Sequence, residues 1–414
     1  MGIDSNKRLM LTGNKAAAWG ARMAQVEYVP AFPITPQTEI VETLAKWFAD
    51  GTLKGKFTNM DSEHSMFMAA GAAAATGVRV FTASSSQGIL HGMESIYTIA
   101  GWRTPMVIVN VSRALATPIT LEPDHNDIMS VRDCGFIQLH AETCQEIFDF
   151  ILMGYKIAED PFVCLPVLVN MDGFYLSFTR EPVLIPNEQT IKKFLPEFKT
   201  SQPVFKASQP MARASAVFGG STYTYFKIQQ DLANRQAEEV FFKTSKEFEK
   251  CFGRFYDVVE KFNMEDAEFI FVMSNSFSTK GKDAVIKLRR QGIKAGLLKL
   301  RLFRPFPATA IADALCGHDN VAVIDQNLAP GMGGITYPEI IASLYDRENR
   351  PKNVLSVIGG LGGKDITESD FLSIVEKLKN PGTKKPFYLF GKNDEENFER
   401  LQHLAISNKE AFQS

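Results

Sequence analysis

The chain has 414 residues, 45% of them hydrophobic, and its 45 Lys and Arg against 47 Asp and Glu leave a formal net charge of −2 with a pI near 6.4. That length and apolar content suffice for two buried cores, and the near-neutral balance offers no electrostatic case for nucleic acid or an anionic membrane surface. The apolar runs fall short of the ~18 residues a spanning helix needs and Met1–Lys15 lacks a signal-peptide core, so no membrane segment and a cytoplasmic address are expected.

Residues 1 to about 180 alternate short apolar strands with helices, the pattern of a doubly wound parallel sheet. Tyr28 to Phe32 reads as a strand end and Thr38 to Trp47 as a helix, with Pro33-Ile34-Thr35-Pro36 between them. Each proline fixes its own φ and pushes the preceding residue towards extended geometry, so Thr35 is held at the carboxyl end of a strand beside a helix start. Ligands of open α/β sheets bind at that edge, although a stiff turn without a ligand reads equally well from these residues alone. Phe57 to Met60 is a short strand, and Glu63 opens an alanine-rich helix to about Thr76. There Glu63 either serves chemistry or merely complements the helix dipole. Val78 to Ala83 is a strand, Ser84 to Gly88 a small-residue loop opening a helix, and Pro105 to Val111 a buried strand delivering Arg113 at its carboxyl end. Asp124-His125-Asn126-Asp127 follows. His125 is a candidate site residue, while Asn126 or Asp127 caps a helix running to Cys134. His64 and His91 read as structural.

Prolines at 182, 186, 196 and 203 mark an extended connection from Phe178 to about Val204, and Lys/Glu-rich helical patterns occupy Phe226 to Val259, with Tyr223, Tyr225 and Phe226 as packing anchors at their start. A second α/β unit begins near Glu268. It contains strands at 269–274, 294–302, 321–325 and 354–358, helices at 278–290 and 306–314, and a helix through Ser343 opened by Gly331 to Gly334. The glycine-rich loop Gly359 to Lys364 can cradle phosphate, but turns at a close-packed sheet edge explain it better. The last ~30 residues read as a surface tail or subunit clasp. Five cysteines, at 134, 144, 164, 251 and 316, form no Cys-x-x-Cys pair and match no zinc or iron–sulfur spacing, so neither metal nor cluster is expected on this chain.

The ordered set PITP after a strand, SEHS at a helix start, TASSSQG, SRAL, Asp124 to Asp127, Leu165 to Phe174, Leu300 to Pro307 and Gly360 to Asp365 resembles the alpha chain of 2-oxoacid:acceptor oxidoreductases, the pyruvate:ferredoxin oxidoreductase family. The resemblance covers roughly residues 8 to 375, broken around 200–250. It implies a doubly wound thiamine diphosphate pyrimidine-binding-type domain over 1–262, with a carboxyl-terminal extension. A smaller transketolase C-terminal-like α/β domain over 263–384, structural and interface-forming, and a tail over 385–414 complete the expected organisation.

The same resemblance implies a CoA-acylating oxidative decarboxylation, with electrons leaving through iron–sulfur subunits. It makes Glu63 the acid that hydrogen-bonds the pyrimidine nitrogen of thiamine diphosphate, sets the backbone of Ile34 against the pyrimidine, and assigns Thr35 and Arg113 to the substrate carboxylate. Guanidinium suits that task through its fork geometry, whereas an ordinary ion pair is the competing reading of Arg113. Gly-Asp-Gly, the motif that holds the diphosphate and its magnesium, does not occur in the chain. The cofactor is therefore expected to be shared with a beta subunit that binds the magnesium. A gamma subunit and a ferredoxin-like iron–sulfur subunit are the further partners, with an electron-transfer subunit to NAD as another acceptor route. Coenzyme A is the expected co-substrate.

Phe32 where many pyruvate-using members carry Tyr, and apolar Met60, Met66, Phe67 and Met68 around Glu63, lean the substrate towards an aryl 2-oxoacid such as phenylglyoxylate. Pyruvate or a branched-chain 2-oxoacid is the alternative. Two other classes stay open: a non-catalytic assembly subunit, and a transketolase-like carbon-transfer enzyme without dependence on coenzyme A.

Overall fold

The computed structural model describes residues 5–200, 202–213, 216–380, 386–389, 399–400 and 403. Val107–Ser112 and Val167–Asp172 are buried along their whole length, as strands covered on both faces must be, and they pair in parallel at the heart of a five-stranded sheet. Its order is 302–304, 137–140, 167–172, 107–112, 81–84, and Tyr28–Ala31 with Lys56–Asn59 extends it through a parallel bridge from Tyr28 to Val80. Alternation decides the two faces. Val107, Val109 and Val111 join the helices Gly13–Met23 and Cys144–Ala158 in one core, while Ile108 joins Glu63–Ala74 and Met93–Trp102 in another. Because the strands run in parallel register, with Ala31 beside Asn59, Ser84 beside Asn110 and Ser112 beside Asp172, their carboxyl ends share one edge.

The second unit is a six-stranded sheet in the order 387–388, 353–358, 320–325, 269–274, 295–300, 259–262. Its edge strand Val259–Phe262 pairs antiparallel with Ala295–Leu300, so the chain enters this unit before residue 263. The strand Leu302–Arg304 then crosses back to pair with Ile137–His140 of the first sheet. One hydrophobic cluster runs through both units, from Val109 and Phe148 to Ile270, Leu298 and Ile311.

Four expectations need correction. The helix expected to start at Asn126 or Asp127 and run to Cys134 is Asn126–Ser130, with His125 at its N-cap. Within the proline-marked connection, Arg180–Ile185 is a strand paired antiparallel with Lys7–Thr12. Pro182 is tolerated because the ribbon has only two strands and an open edge. A helix follows at Glu188–Phe194, capped by Asn187, whose Oδ1 accepts from Thr190 N at 2.9 Å. The Lys/Glu-rich region is a single 33-residue helix, Gly220–Phe252, bounded by Gly219 and Gly253 at φ +85° and +71°. It buries Ala233, Ala237, Phe241 and Phe248 at helical spacing, but Tyr223, Tyr225 and Phe226 stay exposed, and their contacts with each other, Lys227 and Gln229 lie within the same helix. The segment assigned to the tail begins with a strand, Phe387–Tyr388, parallel to Asn353–Ile358; most of the rest lies outside the described residues. No described helix is long and apolar enough to cross a membrane.

The glycine-rich loop docks on the first unit. Gly363 N donates to Pro123 O at 2.7 Å, and Tyr175 Oη donates to Gly363 O. A Cβ on Gly363, whose φ is +74°, would lie 2.6 Å from Glu122 Cβ. These partners are protein groups, in keeping with the turn reading rather than a phosphate cradle.

Candidate active site

The turn after Tyr28–Ala31 is braced from four sides. Asn14 Nδ2 donates to Pro36 O at 3.0 Å and Gln37 Nε2 to Phe32 O at 2.9 Å. Gly173 lets Pro36 approach, since a Cβ there would meet Ser112 O at 2.5 Å and Pro36 Cγ at 2.7 Å. The fourth brace is Arg113, whose Nη1 donates to Thr35 O at 2.7 Å. Thr35 is exposed and its hydroxyl has no hydrogen-bond partner among the described residues, while the Ile34 carbonyl is taken by Gln37 N at 2.9 Å.

Arg113, 7% exposed, leaves the end of Val107–Ser112. Its Nη2 donates to Gln87 Oε1 at 2.9 Å, and its Nε has no partner. Burial works against its charge and lowers its pKa, opposed by the fields of Asp127 and Glu63. Glu63, 6% exposed, is the first residue of its helix, after Ser62, whose Oγ caps Ser65 N at 3.2 Å. The loop Ser84–Gly88 joins the two. Gln87 receives Arg113, and Gly88 lies so close to Glu63 that a Cβ would fall 2.7 Å from Oε1 and 2.4 Å from Ser84 Oγ. Within that loop Ser86 holds φ +49°, a backbone state costing about 1–3 kcal/mol in a non-glycine residue. Buried Asp127 secures it by accepting from Ser86 N at 3.0 Å, Arg113 N at 3.1 Å and Ser112 Oγ at 2.9 Å. Burial raises the Asp127 pKa against those hydrogen bonds.

Thr35, Glu63 and Arg113 are thus brought to one edge. His125 has other company: its ring, 2% exposed, hydrogen-bonds Asp172 Oδ1 through Nε2 at 2.8 Å and meets His140 edge-on. Asp172 Oδ2 in turn accepts from Ser276 N and Oγ of the second unit at 2.9 and 2.6 Å. Burial is the largest influence on His125 and opposes its charge, but the hydrogen bond to Asp172 and the fields of Asp172, Asp127 and Asp124 together raise the pKa. Met66 and Phe67 are fully buried core residues, and Met60 packs on the same core.

Gln87, Gly88, His91 and Asp127 were not singled out as site residues from the sequence. Gln87 and Gly88 lie in the TASSSQG stretch, where they were legible. Asp127 was legible only as a helix cap and His91 carries no local signal, because the groups they bind are distant in the chain. His91 Nδ1 lies 3.1 Å from Glu63 Oε2, across 28 residues.

Glu142, Glu146 and Glu260 place carboxylate oxygens within 4.8 Å of one another, a spacing open to a cation. The cation present is Lys299, at 2.7 Å from Glu146 and 2.9 Å from Glu260 and also bonded to Glu142, with Lys282 and Arg301 alongside. This is a buried ion-pair cluster joining the two units.

The polar groups beside Glu63 suit a pyrimidine: Oε1 carries no hydrogen bond to a described residue, and the buried Ser84 Oγ, Ser85 Oγ, Gln87 Nε2 and Arg113 Nε are all without partners. Fold and site together define a thiamine diphosphate-binding protein of the 2-oxoacid oxidoreductase type. Residues 19–246 match the family model for the thiamine diphosphate-binding domain of pyruvate flavodoxin/ferredoxin oxidoreductases, and residues 267–371 match core domain II of pyruvate:ferredoxin oxidoreductase. The chain belongs to this family, among the alpha subunits of 2-oxoacid:ferredoxin oxidoreductases. It is 40% identical to pyruvate synthase subunit PorA of Methanothermobacter thermautotrophicus, over 90% of this chain and 95% of that one. Identity to ketoisovalerate oxidoreductase subunit VorA of Pyrococcus horikoshii is 38%, over 89% and 93%. The fold is also that of a 2-oxoglutarate:ferredoxin oxidoreductase from Magnetococcus marinus, with a TM-score of 0.68 at 16% identity, covering 89% of this chain and 65% of that one.

Proposed function

We propose that the chain supplies the pyrimidine and substrate half of a shared thiamine diphosphate site in a CoA-acylating oxidoreductase of short aliphatic 2-oxoacids, pyruvate or a branched-chain one. The observation behind this reading is the gathering of Thr35, Glu63 and Arg113 around the Ser84–Gly88 loop, with Arg113 bonded to Thr35 O and to Gln87. When bound, thiamine diphosphate would supply a thiazolium carbon that is nucleophilic once its proton is lost, and an electron sink for the pair left behind when carbon dioxide departs. Glu63 Oε1 holds the proton at the pyrimidine ring nitrogen. Arg113 exchanges its hydrogen bond to Gln87 for the substrate carboxylate, which restores the charge pairing that burial removes, and the exposed Thr35 hydroxyl donates to the same carboxylate. The Ile34 segment backs the pyrimidine. His125, bonded to Asp172, supports this edge from beneath rather than touching substrate.

The chain lacks Gly-Asp-Gly, so a beta subunit binds the diphosphate and magnesium. A gamma subunit and a ferredoxin-like iron–sulfur subunit complete the complex and carry electrons to ferredoxin, or through a further subunit to NAD. Support for an aliphatic substrate comes from pyruvate synthase and ketoisovalerate oxidoreductase subunits among the relatives, and from the burial of Met66 and Phe67 in the core. The reconstituted complex is to be assayed with coenzyme A on pyruvate, 2-oxoisovalerate and phenylglyoxylate. Turnover led by either aliphatic acid is expected, and turnover led by phenylglyoxylate overturns the reading. Arg113→Ala separates the assembly-subunit alternative, which expects no change in substrate affinity.

A further inference from the structure

The short helix Gln87–His91 is pressed onto the helix Glu63–Ala74 at two glycines one turn apart. A Cβ on Gly88 would strike Glu63 and Ser84, and a Cβ on Gly92 would lie 2.1 Å from Phe67 Cδ2. This close approach fixes what lies between them. His91, three residues after Gly88, reaches Glu63 with Nδ1 3.1 Å from Oε2. The ring is otherwise open, with 58% of its side chain exposed and no hydrogen bond from Nε2 to a described residue. The neighbouring His64 is engaged elsewhere, 3.6 Å from Glu94.

We propose that His91 is a positioning residue for Glu63: its Nδ1–H donates to Oε2, fixes the carboxylate plane and leaves Oε1 to the cofactor pyrimidine. The inference rests on the role given to Glu63 under Proposed function. Glu63 has no other hydrogen-bond partner among the described residues, so without His91 its side chain is free to turn about its terminal torsion, which is intrinsically broad. A carboxylate held by a single donor is best held by one whose own backbone is locked, and the two glycine contacts provide that lock.

Two measurements test it. In the full chain labelled with 15N-histidine, the His91 resonance is assigned by its loss in His91→Asn. The neutral ring is expected to carry its proton on Nδ1, and a proton on Nε2 overturns the proposal. In the complex assembled with its partner subunits, proton exchange at the thiazolium carbon is to be timed by quenched NMR. His91→Leu is expected to slow exchange about tenfold, the loss of one hydrogen bond to a charged group, with cofactor affinity nearly unchanged. His91→Asn, whose amide N–H stands where Nδ1–H stood, is expected to recover most of the rate. An unchanged rate in His91→Leu, or no recovery in His91→Asn, overturns the proposal. Glu63→Gln discriminates between the two levels: if it leaves exchange unaltered, the reading of the site itself falls, and if it alone slows exchange, only the role of His91 falls.

Discussion

Arg113 and Glu63 are charged side chains exposed by only 7% and 6%, and neither ends in a conventional ion pair. Arg113 rests on a carbonyl and an amide oxygen, and Glu63 rests on a histidine. Buried charge without a full set of partners is costly unless a ligand completes it, which is why these two residues dominate the functional reading. Glu63→Gln in the assembled complex is expected to slow thiazolium proton exchange by roughly two to four orders of magnitude, the range of a lost proton-transfer group. Arg113→Ala is expected to raise the KM for the 2-oxoacid by about tenfold to a hundredfold, the worth of one charge-assisted hydrogen bond. Gly88→Ala tests the packing directly: its methyl would sit 2.7 Å from Glu63 Oε1, so cofactor affinity in the complex is expected to drop while the chain still folds. Retained affinity would mean that Glu63 has another position open to it.

Among the elements, the parallel strands and their following helices were legible because burial on both faces writes near-continuous apolar runs and several of the helices start at a recognisable polar residue, as at Ser62 and Ser276. Thr38–Ala49, Glu63–Ala74 and Phe277–Arg290 all fall close to their expected limits. The ribbon strand Arg180–Ile185 was not legible, since a proline-rich segment reads as extended whether or not it finds a partner, and its partner Lys7–Thr12 is at the other end of the unit. The helix Gly220–Phe252 shows a similar limit, because the periodicity of its second half says nothing of how far the exposed first turns continue. Hydrogen exchange is expected to be fast over residues 220–229 and slow from Ala233 to Phe248, where the helix packs; uniform protection would point to a surface that covers the first turns. The strand Ala295–Leu300 places Lys299 among Glu142, Glu146 and Glu260. Lys299→Met strands these carboxylates, two of them buried, and is expected to destabilise the chain by about 3–5 kcal/mol, read from the urea midpoint.

At the scale of the whole molecule, the two units are tied by charge and by the loops around Asp124. Burial pushes the Asp124 carboxyl up to about 6, above its ordinary value. The folded chain therefore binds that proton more tightly than the unfolded chain, and stability falls as pH rises through the window from about 4 to about 6. Asp124→Asn keeps an acceptor for Asn126 N without the charge. It is expected to stabilise the chain by about 2–3 kcal/mol above pH 6 and by little below pH 4, as thermal melts across that range would register. The shared-site reading makes its own prediction at this scale. Calorimetry on the purified chain alone is expected to detect no tight thiamine diphosphate binding with magnesium, and stoichiometric tight binding would remove the need for a beta subunit.

Local order in the chain determined the class of the fold, since strand ends that carry Thr35, Glu63 and Arg113 follow from hydrophobic period, proline placement and helix starts, all of them short-range properties; the family followed from the ordered set of motifs that the chain shares with it. It also determined that a diphosphate-binding motif is missing. Only the tertiary structure decided that these three residues share an edge, that His91 rather than a neighbouring residue holds Glu63, and that His125 belongs to Asp172. Each of those pairings is a hydrogen bond made at about 3 Å between groups 28 to 78 residues apart. Such distances are set by how whole strands and helices pack, and no periodicity in the intervening residues encodes them.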